Sequence, residues 1–141
     1  MIILDTNVLS ELMRLRPERV VFDWVARQPA ASLYSSTITQ AEILYGLARM
    51  PTGRRRNDLL TQYRAMMAED FAGRLLPFDE PAAEAYGPLM ASQQRAGRSV
   101  AAHDVQIASI ALSRGAAVAT RSVTHFQGCG VELINPWGAP T

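Results

Sequence analysis

Lysine is missing from this sequence of 141 residues, so its 14 basic residues are all arginine. Against 13 acidic residues they leave a formal net charge of +1, too near neutrality to name a partner. Arginine suits phosphate recognition, although a coding bias toward GC-rich codons explains the same composition. Cysteine is almost missing as well. The single Cys129 excludes an internal disulfide and fits a reducing compartment. It lies between two glycines with no catalytic pattern around it. No apolar run approaches the roughly 20 residues of a membrane span. The N-terminus lacks the basic region and small-residue cleavage site of a secretory leader. These absences predict a cytoplasmic protein without a membrane partner. There is no glycine-rich phosphate loop and no serine elbow. One cysteine and two histidines, His103 and His125, make zinc a poor expectation.

What is present is apolar: 48% of the chain is hydrophobic. That is enough for one domain over residues 1–141 to build its own core. Short β-like runs alternate with helical ones, which implies a parallel sheet covered by helices. Strands are expected at 2–5, 32–36, 74–78, 116–120 and 131–135. Helices are expected at about 8–13, from Pro17, from Thr39 to Met50, from Asp58 to Asp70, from Pro81, and from Ala102 to Ser113, with Gly115 as the last one's stop. Val20, Val21, Trp24 and Val25 recur at helical spacing in the second of these. "PTGRRR" (51–56) reads as a basic turn and "RAGRS" (95–99) as a loop.

Parallel α/β sheets place their sites at the carboxyl ends of the strands. Asp5 ends the first strand. Glu42 is expected in the first helical turn after the second, and Asp104 in the first turn of the helix that feeds "AAVAT". Three carboxylates from distant parts of the chain should therefore meet at one edge. Each has a plainer reading. Asp5 is also placed to cap the following helix. "TQAE" (39–42) matches a capping box, with Glu42 as its acid. Asp104 complements a helix dipole. Together the three are harder to dismiss, because two carboxylates about 4 Å apart repel by roughly 4 kcal/mol at an effective dielectric near 20. A hard divalent cation with oxygen ligands relieves that repulsion, and Mg²⁺ or Mn²⁺ needs few protein carboxylates. His103 is next to Asp104, but neighbouring helical residues point about 100° apart, so a surface histidine is expected.

The motifs "IILDTNVLSE", "TITQAEILYG", "DVQIASIALSRGAAVATRS" and "GVELINPW" resemble the PIN-domain toxins of bacterial toxin–antitoxin pairs, the VapC-type ribonucleases. The resemblance covers nearly the whole chain, with the motifs in family order. It implies a three-layer α/β/α domain with a central parallel sheet. It also implies an Mg²⁺- or Mn²⁺-dependent endoribonuclease that hydrolyses RNA with metal-activated water. The partners it implies are RNA, a second copy of the chain, and a small DNA-binding antitoxin. By motif match the acidic metal-site residues fall on Asp5, Glu42 and Asp104, with Thr6, Asn7, Thr120 and Ser122 in support. One departure stands out: the family usually has Asn or Asp where this chain has Ser122, and His125 stands where many relatives have Asp. The homodimer also follows from apolar residues such as Leu12, Leu15 and Trp24, which a single thin domain is not expected to bury fully.

Two other functions fit parts of the pattern. A haloacid-dehalogenase-like phosphatase also begins with a hydrophobic strand ending in Asp, but it needs a second Asp where Asn7 stands. A non-catalytic nucleic-acid-binding module would use "GRRR" (53–56) as its contact.

Overall fold

The computed structural model describes residues 1–138, so the last three residues of the expected 1–141 unit lie outside the described residues. Among the described residues, five strands, β1 (Ile2–Leu4), β2 (Leu33–Ser36), β3 (Leu75–Leu76), β4 (Ala117–Ala119) and β5 (Leu133–Ile134), form one sheet in the order β3-β2-β1-β4-β5. Every pairing is parallel. The register sets Ile3 beside Tyr34 and Val118, and Leu4 beside Ala119. Among the described residues, six α-helices connect and cover the strands: α1 (Thr6–Leu12), α2 (Arg19–Arg27), α3 (Thr37–Arg49), α4 (Arg54–Glu69), α5 (Glu80–Arg95) and α6 (Ala102–Arg114). This is the α/β architecture that the alternation of elements predicts.

Two apolar clusters lie against the sheet. Ile3 and Val118 point into one with Val105, Ile107 and Ile110 of α6 and Ala82 and Leu89 of α5. Leu4 and Ala119 point into the other with Val8, Leu9, Ile43 and Tyr63. Adjacent strand residues face opposite sides, so the single run "IIL" feeds both layers, and β1 is continuous apolar sequence because both of its faces are covered.

Several local expectations need correction. Arg54–Arg56 are not a turn but the first turn of α4, which begins at Arg54 after Gly53. β1 ends at Leu4, which leaves Asp5 as the N-cap of α1. α3 begins at Thr37 with Ser36 as its cap. Leu12 and Trp24 are only partly buried against the Leu4 cluster, as expected, and Leu15 is 98% exposed. Gly115 ends α6 in the left-handed conformation at φ 65°, a geometry glycine adopts without a Cβ penalty.

Candidate metal centre

β1 and β4 run side by side, and each hands a polar residue to the same edge. The Asp5 amide donates to the Ala119 carbonyl at 2.9 Å, which continues the ladder one residue past β1. Asp5 then has two tasks. Its Oδ1 accepts from the Thr6 amide at 2.7 Å, so it does cap α1. Its Oδ2 accepts from the buried Thr120 hydroxyl at 2.8 Å, at the end of β4. A helix cap needs only one oxygen. The second bond locks the carboxylate to the neighbouring strand and fixes its direction.

Glu42 arrives from α3. It is the sixth residue of that helix, in its second turn rather than its first. Helical side chains lean toward the N-terminus, and Glu42 uses that lean: its Oε1 accepts from the Thr6 hydroxyl at 2.6 Å. The Thr6 hydroxyl is also 3.0 Å from that of Thr39. The capping-box reading of Glu42 is therefore wrong. The α3 cap is Ser36, whose hydroxyl accepts from the Thr39 amide at 3.1 Å, and Thr39 is inside the helix.

Asp104 lies in the first turn of α6 and is 5% exposed. Two imidazoles flank it. His103 Nε2 is 3.4 Å from Asp104 Oδ1 and 3.4 Å from Glu42 Oε2. His125 Nδ1, on a short 3₁₀ turn after β4, is 3.3 Å from Asp104 Oδ2. His103 is thus part of the site and not the bystander its place beside Asp104 suggests. Among the described residues, these histidines are the only basic groups paired with Asp104 or Glu42.

Asp5, Thr6, Asn7, Glu42, Asp104 and Ser122 line one open cavity of about 590 Å³, and Thr120 is buried behind it. The sequence candidates therefore converge. Asn7 Oδ1 accepts from the Arg121 amide at 3.3 Å and ties α1 to the loop after β4. The Ser122 amide donates to the Thr120 hydroxyl at 3.0 Å. Burial pushes the Asp5 carboxyl above the usual aspartate range, against the pull of the Thr120 and Thr6 hydrogen bonds, and the charges of Asp104 and Glu42 push it further up. Cys129 is excluded from the chemistry. It is buried, its sulfur accepts from Gln93 Nε2 at 3.1 Å, and burial raises its thiol pKa, which disfavours the reactive thiolate.

Among the described residues, no three His, Cys, Asp or Glu side chains close on one point as a ready-made metal cage. The carboxylates nevertheless fit Mg²⁺ or Mn²⁺. Such ions keep several waters and take one or two protein carboxylates, with substrate phosphate as a further ligand. An aspartate whose pKa is raised by burial first and by two neighbouring carboxylates further is a group that an added cation stabilises. The two imidazoles add nitrogen donors, which suit Mn²⁺ better than Mg²⁺.

A parallel α/β fold with acidic side chains gathered at the carboxyl edge of its strands places them where such folds hold their ligands. Residues 2–122 match the PIN domain model. The chain is 42% identical over 137 residues to the VapC ribonuclease Y4jK of Sinorhizobium fredii, covering 97% of this chain and 98% of that protein. It is 38% identical to the toxin FitB of Neisseria gonorrhoeae over 97% of this chain and 99% of that one. Its fold superimposes on a solved structure of FitAB bound to an IR36 DNA fragment with a TM-score of 0.92, at 37% identity, covering 100% of this chain and 99% of that one. The chain belongs to the PIN domain family.

Proposed function

We propose that the protein is a divalent-metal-dependent endoribonuclease that acts in the cytoplasm as the toxin of a toxin–antitoxin pair. The observation that carries this reading is the convergence of Asp5, Glu42 and Asp104 on one cavity in a PIN-family chain. The names of its relatives, a VapC ribonuclease and a FitB toxin, support it.

The chain's own residues divide the work. Asp5 and Asp104 are buried, and Asp5 is fixed by Thr120 and Thr6, so it holds its position without reorganising. Glu42 is less buried and is steered by the Thr6 hydroxyl. One threonine thus orients two of the three acids, through its amide and its hydroxyl. The open cavity admits a chain-like substrate. When bound, a divalent ion there would lower the pKa of water and stabilise the charge on the phosphodiester. Attack by water needs no covalent intermediate on the protein. The test is a labelled single-stranded RNA incubated with purified protein. Cleavage is expected with Mn²⁺, more slowly with Mg²⁺, and not in EDTA, while p-nitrophenyl phosphate stays intact under all conditions. Phosphomonoester hydrolysis without RNA cleavage would return the assignment to a phosphatase, and RNA binding without any cleavage to a binding module.

The partners follow from the same face. A second cavity of about 910 Å³ shares Thr6 and Glu42 with the acidic one and continues between α1, α3 and α4 over Met13, Leu15, Ile43 and Leu59. Its apolar floor suits a helix of a cognate DNA-binding antitoxin, and its acidic end suits a basic side chain of that partner, which would neutralise the carboxylates as a metal does. The solved FitAB assembly on DNA supports a DNA-binding partner. The free toxin is expected as a homodimer. Light scattering should give twice the monomer mass alone and a larger, stable complex on co-expression with the neighbouring small gene product. A monomer at tens of micromolar would refute the dimer. Antitoxin binding unchanged in the double variant Asp5→Asn, Asp104→Asn would refute the basic insertion.

A further inference from the structure

Two arginines line the acidic cavity, and only one of them is neutralised. Arg14 Nη1 reaches both oxygens of the buried Glu11 at 3.2 Å. Arg121 is exposed and makes no ion pair with any carboxylate among the described residues. It is nonetheless held. Its amide is bound by Asn7, and its guanidinium carbon lies 5.2 Å from the centroid of the Trp137 ring, within cation–π range. The ring itself is fixed. Asn135 Oδ1 accepts from the Trp137 amide at 3.0 Å and from the Gly138 amide at 3.2 Å, and the indole packs on the Leu4 cluster. The ends of β4 and β5 are neighbours, since the Thr120 amide donates to the Ile134 carbonyl at 2.9 Å. Sheet order thus brings Arg121 and Trp137 together at the rim of the carboxylates.

An RNA strand that places one phosphate at Asp5, Glu42 and Asp104 carries the next phosphate past that rim. A bare carboxylate cluster repels it, and the rim needs a fixed cation. We propose that Arg121 binds the RNA phosphate adjacent to the one held at the three carboxylates, and that Trp137 is the positioning residue that keeps the guanidinium extended for it. The proposal rests on the ribonuclease reading. Arginine suits the role because its planar fork pairs with phosphate through two parallel N–H donors and lies flat on an aromatic ring. A pre-ordered guanidinium loses less side-chain entropy on binding than a free one. A phosphate contact adds affinity without reading sequence.

Fluorescence anisotropy with a labelled single-stranded oligoribonucleotide tests this, with Ca²⁺ in place of Mn²⁺ to prevent turnover. The affinity is measured across roughly 50–200 mM salt. In wild type log K falls linearly with log salt. Arg121→Gln should lower low-salt affinity about five- to tenfold and make the slope shallower by about 0.7, the value for one lost single-strand phosphate contact. The loss should be equal for three unrelated RNA sequences. Arg121→Lys should keep the slope, because it keeps the charge. Trp137→Phe should weaken binding by a smaller factor with the slope unchanged, since the ring contributes no charge. Equal affinity and slope in wild type and Arg121→Gln overturn the proposal and leave the nuclease reading standing. A Lys variant as shallow in slope as the Gln variant also overturns it. Wild-type protein that binds no RNA in Ca²⁺ overturns both readings together.

Discussion

Asp5→Asn should cut RNA cleavage by about three orders of magnitude or more while leaving the metal-free protein more stable than wild type. The size of the activity loss follows from the proposed role: removing a fixed negative charge from a site that holds a divalent ion would remove interactions made in the transition state. The gain in stability follows from the pKa. Burial, with Asp104 and Glu42 beside it, raises the Asp5 carboxyl above its ordinary 3.8 in the folded protein. Below that pH the residue is protonated whether folded or unfolded, and it costs nothing. As pH rises from 3.8 through the raised folded value, the unfolded chain gives up its proton first, and stability is lost. Above the raised folded value the loss is complete, at about 1.4 kcal/mol for every tenfold difference in acidity between the folded and unfolded carboxyl. Asparagine escapes this loss, and it still caps α1 because its side-chain oxygen accepts from the Thr6 amide as aspartate does. Thermal melts in EDTA at pH 5, 6 and 7 should show an advantage for Asp5→Asn that shrinks toward low pH. Asp104→Asn should show the same activity loss. Glu42→Gln should also inactivate, and since Ser36 rather than Glu42 caps α3, its melting temperature should stay near wild type. Wild-type cleavage by any of the three purified variants would remove that residue from the site.

Lost activity with gained stability separates a functional residue from a structural one. The same distinction marks where sequence reading succeeded and where it stopped. The edge at which the acids gather was legible because it depends only on chain direction: parallel strands followed by helices put strand ends and helix starts on one side, whatever the boundaries are. The apolar run "IIL", the periodicity of α6 and the Gly115 stop are strong, local signals, and the structure agrees with each. The start of α3 was not legible. Ser36, Thr37 and Thr39 are all acceptable caps, and sequence does not choose among them. The sheet chooses: Ser36 pairs with Leu76 of β3 and is held extended, so the helix begins right after it. His103 is the surface histidine expected, 47% exposed, but its pairing with the acids was not legible. The 100° step does not keep its Nε2 from Asp104 Oδ1, 3.4 Å away, and its other partner, Glu42, comes from α3, a neighbour no single-helix argument contains. Arg54–Arg56 were misread because three consecutive arginines resemble a solvated turn, whereas Gly53 is a serviceable start and α4 begins there.

Ser122→Asp should raise Mn²⁺ affinity about tenfold and lower the stability of the metal-free protein by roughly 1 kcal/mol or more. Ser122 is half-buried on the wall of the acidic cavity, one residue past Arg121. Its amide donates to the same Thr120 hydroxyl that binds Asp5, so the segment is held by the site it would complete. The plainer reading makes Ser122 only a turn residue that starts the following loop. The 3₁₀ turn at Val123–Phe126 does follow it, but the hydroxyl makes no capping hydrogen bond, and the connection runs from the Ser122 carbonyl to the His125 amide at 2.9 Å. A backbone contact survives any side-chain change. Aspartate at this position therefore leaves the turn intact and adds a fourth negative group. Charge count is the main control on affinity for hard divalent ions, and a tenfold gain corresponds to about 1.4 kcal/mol. The cost has the same origin. Without metal, the new carboxylate faces Asp5 and Asp104, and one of the group must keep a proton or endure the repulsion. Added Mn²⁺ reverses the sign, because an ion that binds only the folded state stabilises it by mass action. The variant should melt below wild type in EDTA and above it in millimolar Mn²⁺. Calorimetric titration of both proteins decides the point: equal affinity and equal stoichiometry would place the Ser122 side chain outside the metal's reach, whatever the cavity wall suggests.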